Sequence, residues 1–235
     1  MDNVGGRMNN RAMRVRVKIC GVTRAEDAAL AARLGADAVG VVCHPKARRY
    51  VPVERAREIV AAVPAFVTPV LLFVDQAVDE IVRVAGELGV RTVQLHGHEG
   101  PEVVAALRGF SVLKSLRTDR ATLPGELAAW REAVARLGLV QLQGLVMETA
   151  GPKDGAPGGT GVENDFAYLA ELRAAGAFAG LPGMIAAGGL RPENVGQVVR
   201  TVRPYAVDVS SGVEGAFGVK DAGRVGAFIG NAIVE

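Results

Sequence analysis

Apolar residues along the chain gather into short continuous runs, and each run is followed by a polar turn and a longer stretch with Ala, Leu and Val at helical spacing. An alternating segment, Val15 to Val22, opens the series as a first strand. Runs at Ala38 to Val42, Val67 to Val74, Thr92 to Leu95, Ser111 to Ser115, Gly144 to Glu148, Met184 to Ala187 and Ala206 to Val209 continue it. Between them, helices are predicted over Arg24 to Leu34, Val53 to Ala62, Ala77 to Leu88, Pro101 to Leu107, Leu123 to Leu137, Asp165 to Ala175, Pro192 to Val202 and Asp221 to Ile233. Alternating strands and helices imply a parallel sheet, and continuously apolar strands suit a sheet covered on both faces. An open doubly wound sheet absorbs the same pattern. The even spacing of about eight repeats favours closure, so the predicted fold class is α/β, a single (β/α)8 TIM barrel.

Two segments break the rhythm. Ala150 to Gly161 is rich in Gly and Pro and longer than an ordinary strand-to-helix link, which predicts a functional loop. Gly176 to Gly183 is a second excursion, without polar chemistry. Residues 1–13, with many Gly and Asn, read as a flexible tail preceding a barrel over 14–235.

Composition narrows the classes. With 49% hydrophobic residues among 235, a large core is within reach, and a formal net charge of +2 leaves no basic footprint for nucleic acid. Aromatic residues at 5% also argue against base stacking. No run approaches membrane-spanning length, and no apolar signal core follows the Arg-containing lead. Cys20 and Cys43 are the two cysteines, which argues against a disulfide framework and for a reducing cytoplasm. Cys20, Cys43 and His44 fall at the ends of neighbouring strands, but their spacing matches no compact zinc motif, so no metal is expected.

In a parallel barrel the loops at the carboxyl ends of the strands converge on one mouth. Cys20 falls at such an end. On position alone it is either a small buried hydrophobe or a reactive thiol. Late in the chain, Gly188-Gly189 and Ser210-Ser211-Gly212 follow the last two strands, where small residues bring backbone N–H groups close to a phosphate.

Several motifs then carry a resemblance. They are Lys18-Ile19-Cys20-Gly21, Gln94-Leu95-His96-Gly97, Gly158-Gly159-Thr160-Gly161, Ala187-Gly188-Gly189-Leu190 with Pro192-Glu193-Asn194-Val195, and Asp208-Val209-Ser210-Ser211-Gly212-Val213-Glu214 with Lys220-Asp221. In this order they resemble the phosphoribosylanthranilate isomerase family. The resemblance implies a cofactor-free barrel enzyme of tryptophan biosynthesis. It would convert N-(5-phosphoribosyl)anthranilate to 1-(2-carboxyphenylamino)-1-deoxyribulose 5-phosphate by an Amadori rearrangement. Such chemistry needs an acid for the ring oxygen of the sugar and a base for the proton on C2.

By resemblance Cys20 is the base and Glu148 stands where the family places an Asp acid. A carboxylic acid one methylene longer still donates a proton if burial raises its pKa. Asp154 in the long loop is the alternative acid, and a weakened or repurposed copy is the third reading. Arg49 matches the arginine that holds the anthranilate carboxylate, since a guanidinium fork meets a carboxylate with two parallel bonds. Arg48 beside it reads as a solvated charge. Asp208 matches an aspartate near the sugar hydroxyls, and His96 is expected to line the pocket or orient a neighbour. Glu99 reads as a helix cap. The expected phosphate grip is Gly159, Gly188, Gly189, Ser210, Ser211 and Gly212. Lys18 approaches the Cys20 sulfur only if the first strand is regular enough to put both on its inner face.

The expected partner is a small phosphosugar, with neither nucleic acid nor membrane, and the chain is expected as a monomer or homodimer. Two other functions stay open: an isomerase acting on a related phosphoribosylamine or substituted anthranilate, and a non-catalytic phosphosugar-binding barrel.

Overall fold

Eight parallel strands close on themselves in chain order, β1 pairing with both β2 and β8. The computed structural model describes residues 14–149 and 163–233. The strands are β1 (Arg16–Ile19), β2 (Ala38–Val42), β3 (Thr68–Phe73), β4 (Thr92–Leu95), β5 (Ser111–Thr118), β6 (Leu142–Thr149), β7 (Gly183–Ala186) and β8 (Ala206–Val209). The helices are α1 (Ala25–Arg33), α2 (Val53–Ala61), α3 (Val78–Glu87), α4 (Pro101–Ala106), α5 (Leu123–Leu137), α6 (Phe166–Ala174), α7 (Pro192–Val202) and α8 (Ala222–Ala232). The fold is the expected (β/α)8 TIM barrel. The tail 1–13, the loop 150–161 and with them Asp154 and Gly159 lie outside the described residues.

Local chemistry sets several boundaries. Asp165 and Asp221 cap α6 and α8 by accepting from Tyr168 N and Arg224 N, at 2.9 and 2.8 Å. Pro192 opens α7, where a missing N–H costs nothing. Gly138 closes α5 in the left-handed region.

Because strand side chains alternate with period two, each strand feeds two environments. Ile19, Val39, Leu71, Val93, Leu145 and Val207 point outward and pack against Ala28, Ile59, Ile81, Leu127, Val198 and Phe228 of the helices. Inside, Val146, Ile185, Ala187 and Ala206 fill one small cluster, and Cys20, Val42 and Leu72 form another. Polar Lys18, Gln94, Ser115 and Asp208 are also buried.

Between β8 and α8 the chain adds what the pattern does not show: a 3-10 turn at Ser211–Val213, then an antiparallel pair, β9 (Glu214–Ala216) and β10 (Val219–Lys220). Thr23 Oγ1 donates to Gly218 O at 2.6 Å and Lys220 N donates to the buried Asp27 carboxylate at 3.1 Å, which ties this hairpin to the start of α1.

Candidate active site

β1 ends at Ile19, one residue before the thiol. Cys20 N donates to Val209 O at 2.7 Å and keeps the extended path, so Lys18 and Cys20 share the inner face. Lys18 Nζ donates to Asp208 Oδ2 at 2.7 Å, in register across the β1–β8 seam, and its charge acts on the Cys20 sulfur on the same face. Gly40 on β2 supplies the room. A Cβ there would fall 2.7 Å from Cys20 Sγ and 3.2 Å from Lys18 Nζ.

The charges in this corner pull against one another. Burial alone would discharge Lys18, but Asp208 and the Cys20 sulfur outweigh it and push the lysine pKa up. Burial pushes the Cys20 thiol up, Lys18 opposes, and Asp208 adds to the rise. At rest, therefore, the sulfur carries its proton. Cys43 belongs to the separate outer cluster, where burial alone lifts its thiol to about 12.

Glu148 lies near the carboxyl end of β6 and is partly exposed at the mouth. Its surroundings are poor in water, and that desolvation, with Asp208 second and Lys18 opposing, raises its pKa to about 7. Much of it is thus a neutral acid near physiological pH, the state a proton donor needs. The extra methylene has not removed this side chain from the field of Asp208 and Lys18.

His96 follows β4. Gln94 Nε2 and Ser115 Oγ approach its Nδ1 at 3.1 and 3.0 Å, so the amide makes Nδ1 an acceptor and leaves Nε2 as the ring's donor. Burial, then Lys18, Lys114 and Arg117, lowers its pKa to about 3, so the ring is neutral. The next loop departs from expectation at Glu99. Rather than capping α4, Glu99 turns inward, takes Lys114 Nζ at 2.8 Å and accepts from Asp75 N and Gly97 N. It locks the loops after β3 and β4 together.

Arg49 reaches the mouth from the loop after β2, but most of its fork is in use. Nε and Nη2 each donate to Glu214 at 2.8 Å, and Lys220 Nζ donates to the same carboxylate and to Ser210 O, both at 3.0 Å. Arg49 and Lys220 hold the Glu214 carboxyl below its usual range against the opposing effect of burial. Nη1 and the second Nη2 hydrogen are the guanidinium donors left over from the Glu214 pairing, an edge that can still offer two parallel hydrogen bonds. Phe217, at the hairpin tip, lies 4.8 Å from the Arg49 guanidinium and 4.5 Å from that of Arg48. Gly21, at φ +65°, has no room for a side chain: a Cβ would fall 2.6 Å from Arg49 Cδ and 2.7 Å from Ser210 Oγ.

The loops after β7 and β8 meet at the mouth. A Cβ on Gly212 would collide with the Leu190 carbonyl, and Gly188 and Gly189 both have positive φ. Among the described residues, the N–H groups of Gly188, Gly189, Ser211 and Gly212 make no hydrogen bond to a protein acceptor. They remain available to an anion. All the predicted residues within the described range, Cys20, Arg49, His96, Glu148, Gly188, Gly189, Asp208 and Ser210 to Gly212, stand at the carboxyl-end mouth or line the interior beneath it.

A family model described as N-(5'phosphoribosyl)anthranilate (PRA) isomerase matches residues 17–231. The chain belongs to this family. An N-(5'-phosphoribosyl)anthranilate isomerase of Pseudomonas aeruginosa (strain UCBPP-PA14) is 44% identical over 216 residues, covering 92% of this chain and 93% of that one. The phosphoribosyl anthranilate isomerase of Thermus thermophilus superposes with a TM-score of 0.77 at 37% identity, covering 92% and 98% of the two chains. A further family structure, solved with reduced 1-(o-carboxyphenylamino)-1-deoxyribulose 5-phosphate, gives 0.76 at 34% identity, covering 93% and 98%.

Sequence reasoning gave no role to Glu214 and Lys220, although both lie in motifs that carried the resemblance. For Lys18 the sequence offers only a condition, the regularity of the first strand, which the structure meets. The available signal was a carboxylate and an ammonium flanking the Gly-containing stretch from Gly215 to Gly218, a hairpin pattern.

Proposed function

We propose that this protein is the tryptophan-pathway isomerase that converts N-(5-phosphoribosyl)anthranilate to 1-(2-carboxyphenylamino)-1-deoxyribulose 5-phosphate, with Glu148 as acid and Cys20 as base. The observation that carries this reading is the gathering of Cys20, Lys18 and Asp208 at the β1–β8 seam, with Lys18 Nζ on Asp208 Oδ2 at 2.7 Å, at the same barrel mouth as Glu148, whose carboxyl is raised to about 7. Glu148 protonates the ring oxygen as the anilino nitrogen pushes the furanose open to a Schiff base. Cys20, as thiolate, then removes the proton from C2. The resulting enolamine tautomerises to the ketone, and the two side chains re-equilibrate with solvent.

Around this step, Arg49 meets the anthranilate carboxylate through its Nη1 edge and His96 donates from Nε2. Asp208 accepts from a sugar hydroxyl. The phosphate rests on the N–H groups of Gly188, Gly189, Ser211 and Gly212, with the Ser210 loop held from behind by Lys220. Asp154 and Gly159 stay candidates for the acid and the phosphate grip. No cofactor enters the reaction. Among the described residues no helix is long and apolar enough to cross a membrane, and we assign the enzyme to the cytoplasm as a monomer or homodimer.

The test is the loss of anthranilate-adduct fluorescence with phosphoribosylanthranilate made in situ. The wild type turns over, while Cys20→Ser and Glu148→Gln each lose about 10²–10⁴ in kcat, the usual worth of a proton-transfer group. A folded wild type with no turnover overturns the assignment.

A further inference from the structure

Asp208 Oδ2 takes Lys18 Nζ at 2.7 Å, whereas Asp208 Oδ1 is buried and, among the described residues, has no hydrogen-bond partner. A dry carboxylate oxygen without a donor is costly, and native sites keep one where something else is to bind. The Lys18 ammonium meanwhile acts on two groups, the Asp208 carboxylate to which it donates and the Cys20 sulfur beside it. Whatever strengthens its hold on one weakens its hold on the other.

Building on the isomerase reading, we propose that Lys18 is a positioning residue divided between Asp208 and Cys20. A sugar hydroxyl donated to Asp208 Oδ1 shifts Lys18 toward the sulfur, so that substrate completes its own base.

The groups facing Cys20 give this a definite sign. Lys18 on the same strand and Lys220 from β10 favour the thiolate, and Asp208 from β8 opposes it. β2 contributes Gly40 and the apolar Val42. Glu148 from β6 feels Asp208 and Lys18, and His96 after β4 is neutral. A hydroxyl on Oδ1 draws charge from the carboxylate, which weakens both its grip on Lys18 and its repulsion of the sulfur. The thiol proton then leaves to solvent through the mouth. Before substrate arrives the sulfur stays protonated, the form less prone to oxidation and alkylation.

The experiment is a ¹³C NMR titration of Cys Cβ in the full-length protein. Cys43, whose thiol burial lifts to about 12, supplies the second Cys resonance. Lys18→Met should strengthen proton binding at Cys20 about tenfold or more, and Asp208→Asn should weaken it by a similar factor. In the wild type, reduced 1-(o-carboxyphenylamino)-1-deoxyribulose 5-phosphate should weaken it as well, and in Asp208→Asn the same probe should add little. A purely structural role for the pair would move both variants the same way. Parallel shifts, or a wild-type thiol that holds its proton as tightly or more tightly with the probe bound, overturn the proposal. The wild-type arm needs no variant to fold, and none of these readouts needs turnover, so a failure of the isomerase assignment registers separately in the fluorescence assay.

Discussion

On the β2 side of the mouth, Glu214 uses both carboxylate oxygens on Arg49 and one of them again on Lys220, which in turn holds the Ser210 carbonyl. On the β8 side, Asp208 uses one oxygen on Lys18 and leaves the other buried without a partner among the described residues. Both are carboxylate–cation clusters at the same end of one barrel. The first is fully paired, so its geometry holds whether or not a ligand is present. The second is underpaired, and its unmet demand falls on groups that titrate, Cys20 and Glu148. The difference separates holding from reacting: a satisfied network fixes where Arg49 and the phosphate loop stand, and an unsatisfied one leaves proton affinities that substrate can move.

The comparison breaks hardest at Glu214. Glu214→Gln leaves Arg49 and Lys220 buried with their anion gone, and stripping one partner from such a cluster costs about 3–5 kcal/mol. The expected result is a melting temperature lower by about 10 °C, read by calorimetry, with KM raised more than kcat is lowered.

Glu148→Gln has a smaller effect of the opposite sign. The folded protein raises this carboxyl from 4.5 to about 7, so it binds the proton more tightly than the unfolded chain does. Stability is therefore full below about 4.5 and falls as pH rises toward 7. The neutral amide removes that loss, discounted here because the group is partly exposed. Thermal melts should show Glu148→Gln more stable by about 1 kcal/mol at pH 8, or about 3 °C, with the gain vanishing near pH 4.5.

Phe217→Ala is the mildest. It removes an exposed ring from two guanidiniums, at about 0.5–1 kcal/mol each. Denaturant melts should shift slightly, and KM should rise a few-fold with kcat intact.

Much of this fold is legible because barrel strands and helices are defined by contacts that recur every few residues. Ala38 to Val42 and Ala206 to Val209 are strands to the residue, and Asp165 and Asp221 cap the helices they were read to begin. The catalytic candidates were legible through the resemblance and through their place at strand ends. What stayed hidden depends on partners remote in sequence. Arg49 and Glu214 are separated by 165 positions, and nothing local shows that the fork is already taken. Glu99 reads as a helix cap because its nearest context is a helix start, while its real partner is a lysine on the next strand. The hairpin of Glu214–Ala216 and Val219–Lys220 is too short for a periodic signal and is fixed by Thr23 and Asp27 from the far end of the chain.

The most direct test of paired proton transfer is the pH dependence of kcat/KM for wild type and Glu148→Gln between pH 5.5 and 9. The active form needs Glu148 protonated and Cys20 ionised, and the thiol is the weaker acid of the two. Wild-type kcat/KM should then rise with pH, bend to a plateau near 7 as Glu148 ionises, and hold it while the gain in thiolate offsets the loss of acid. The substrate phosphate adds its own break near 6 in both proteins. Glu148→Gln, at lower absolute rate, should lose the bend near 7 and keep rising until Cys20 ionises. If the variant levels off at the same pH as the wild type, Glu148 is not the acid and the account of this mouth fails.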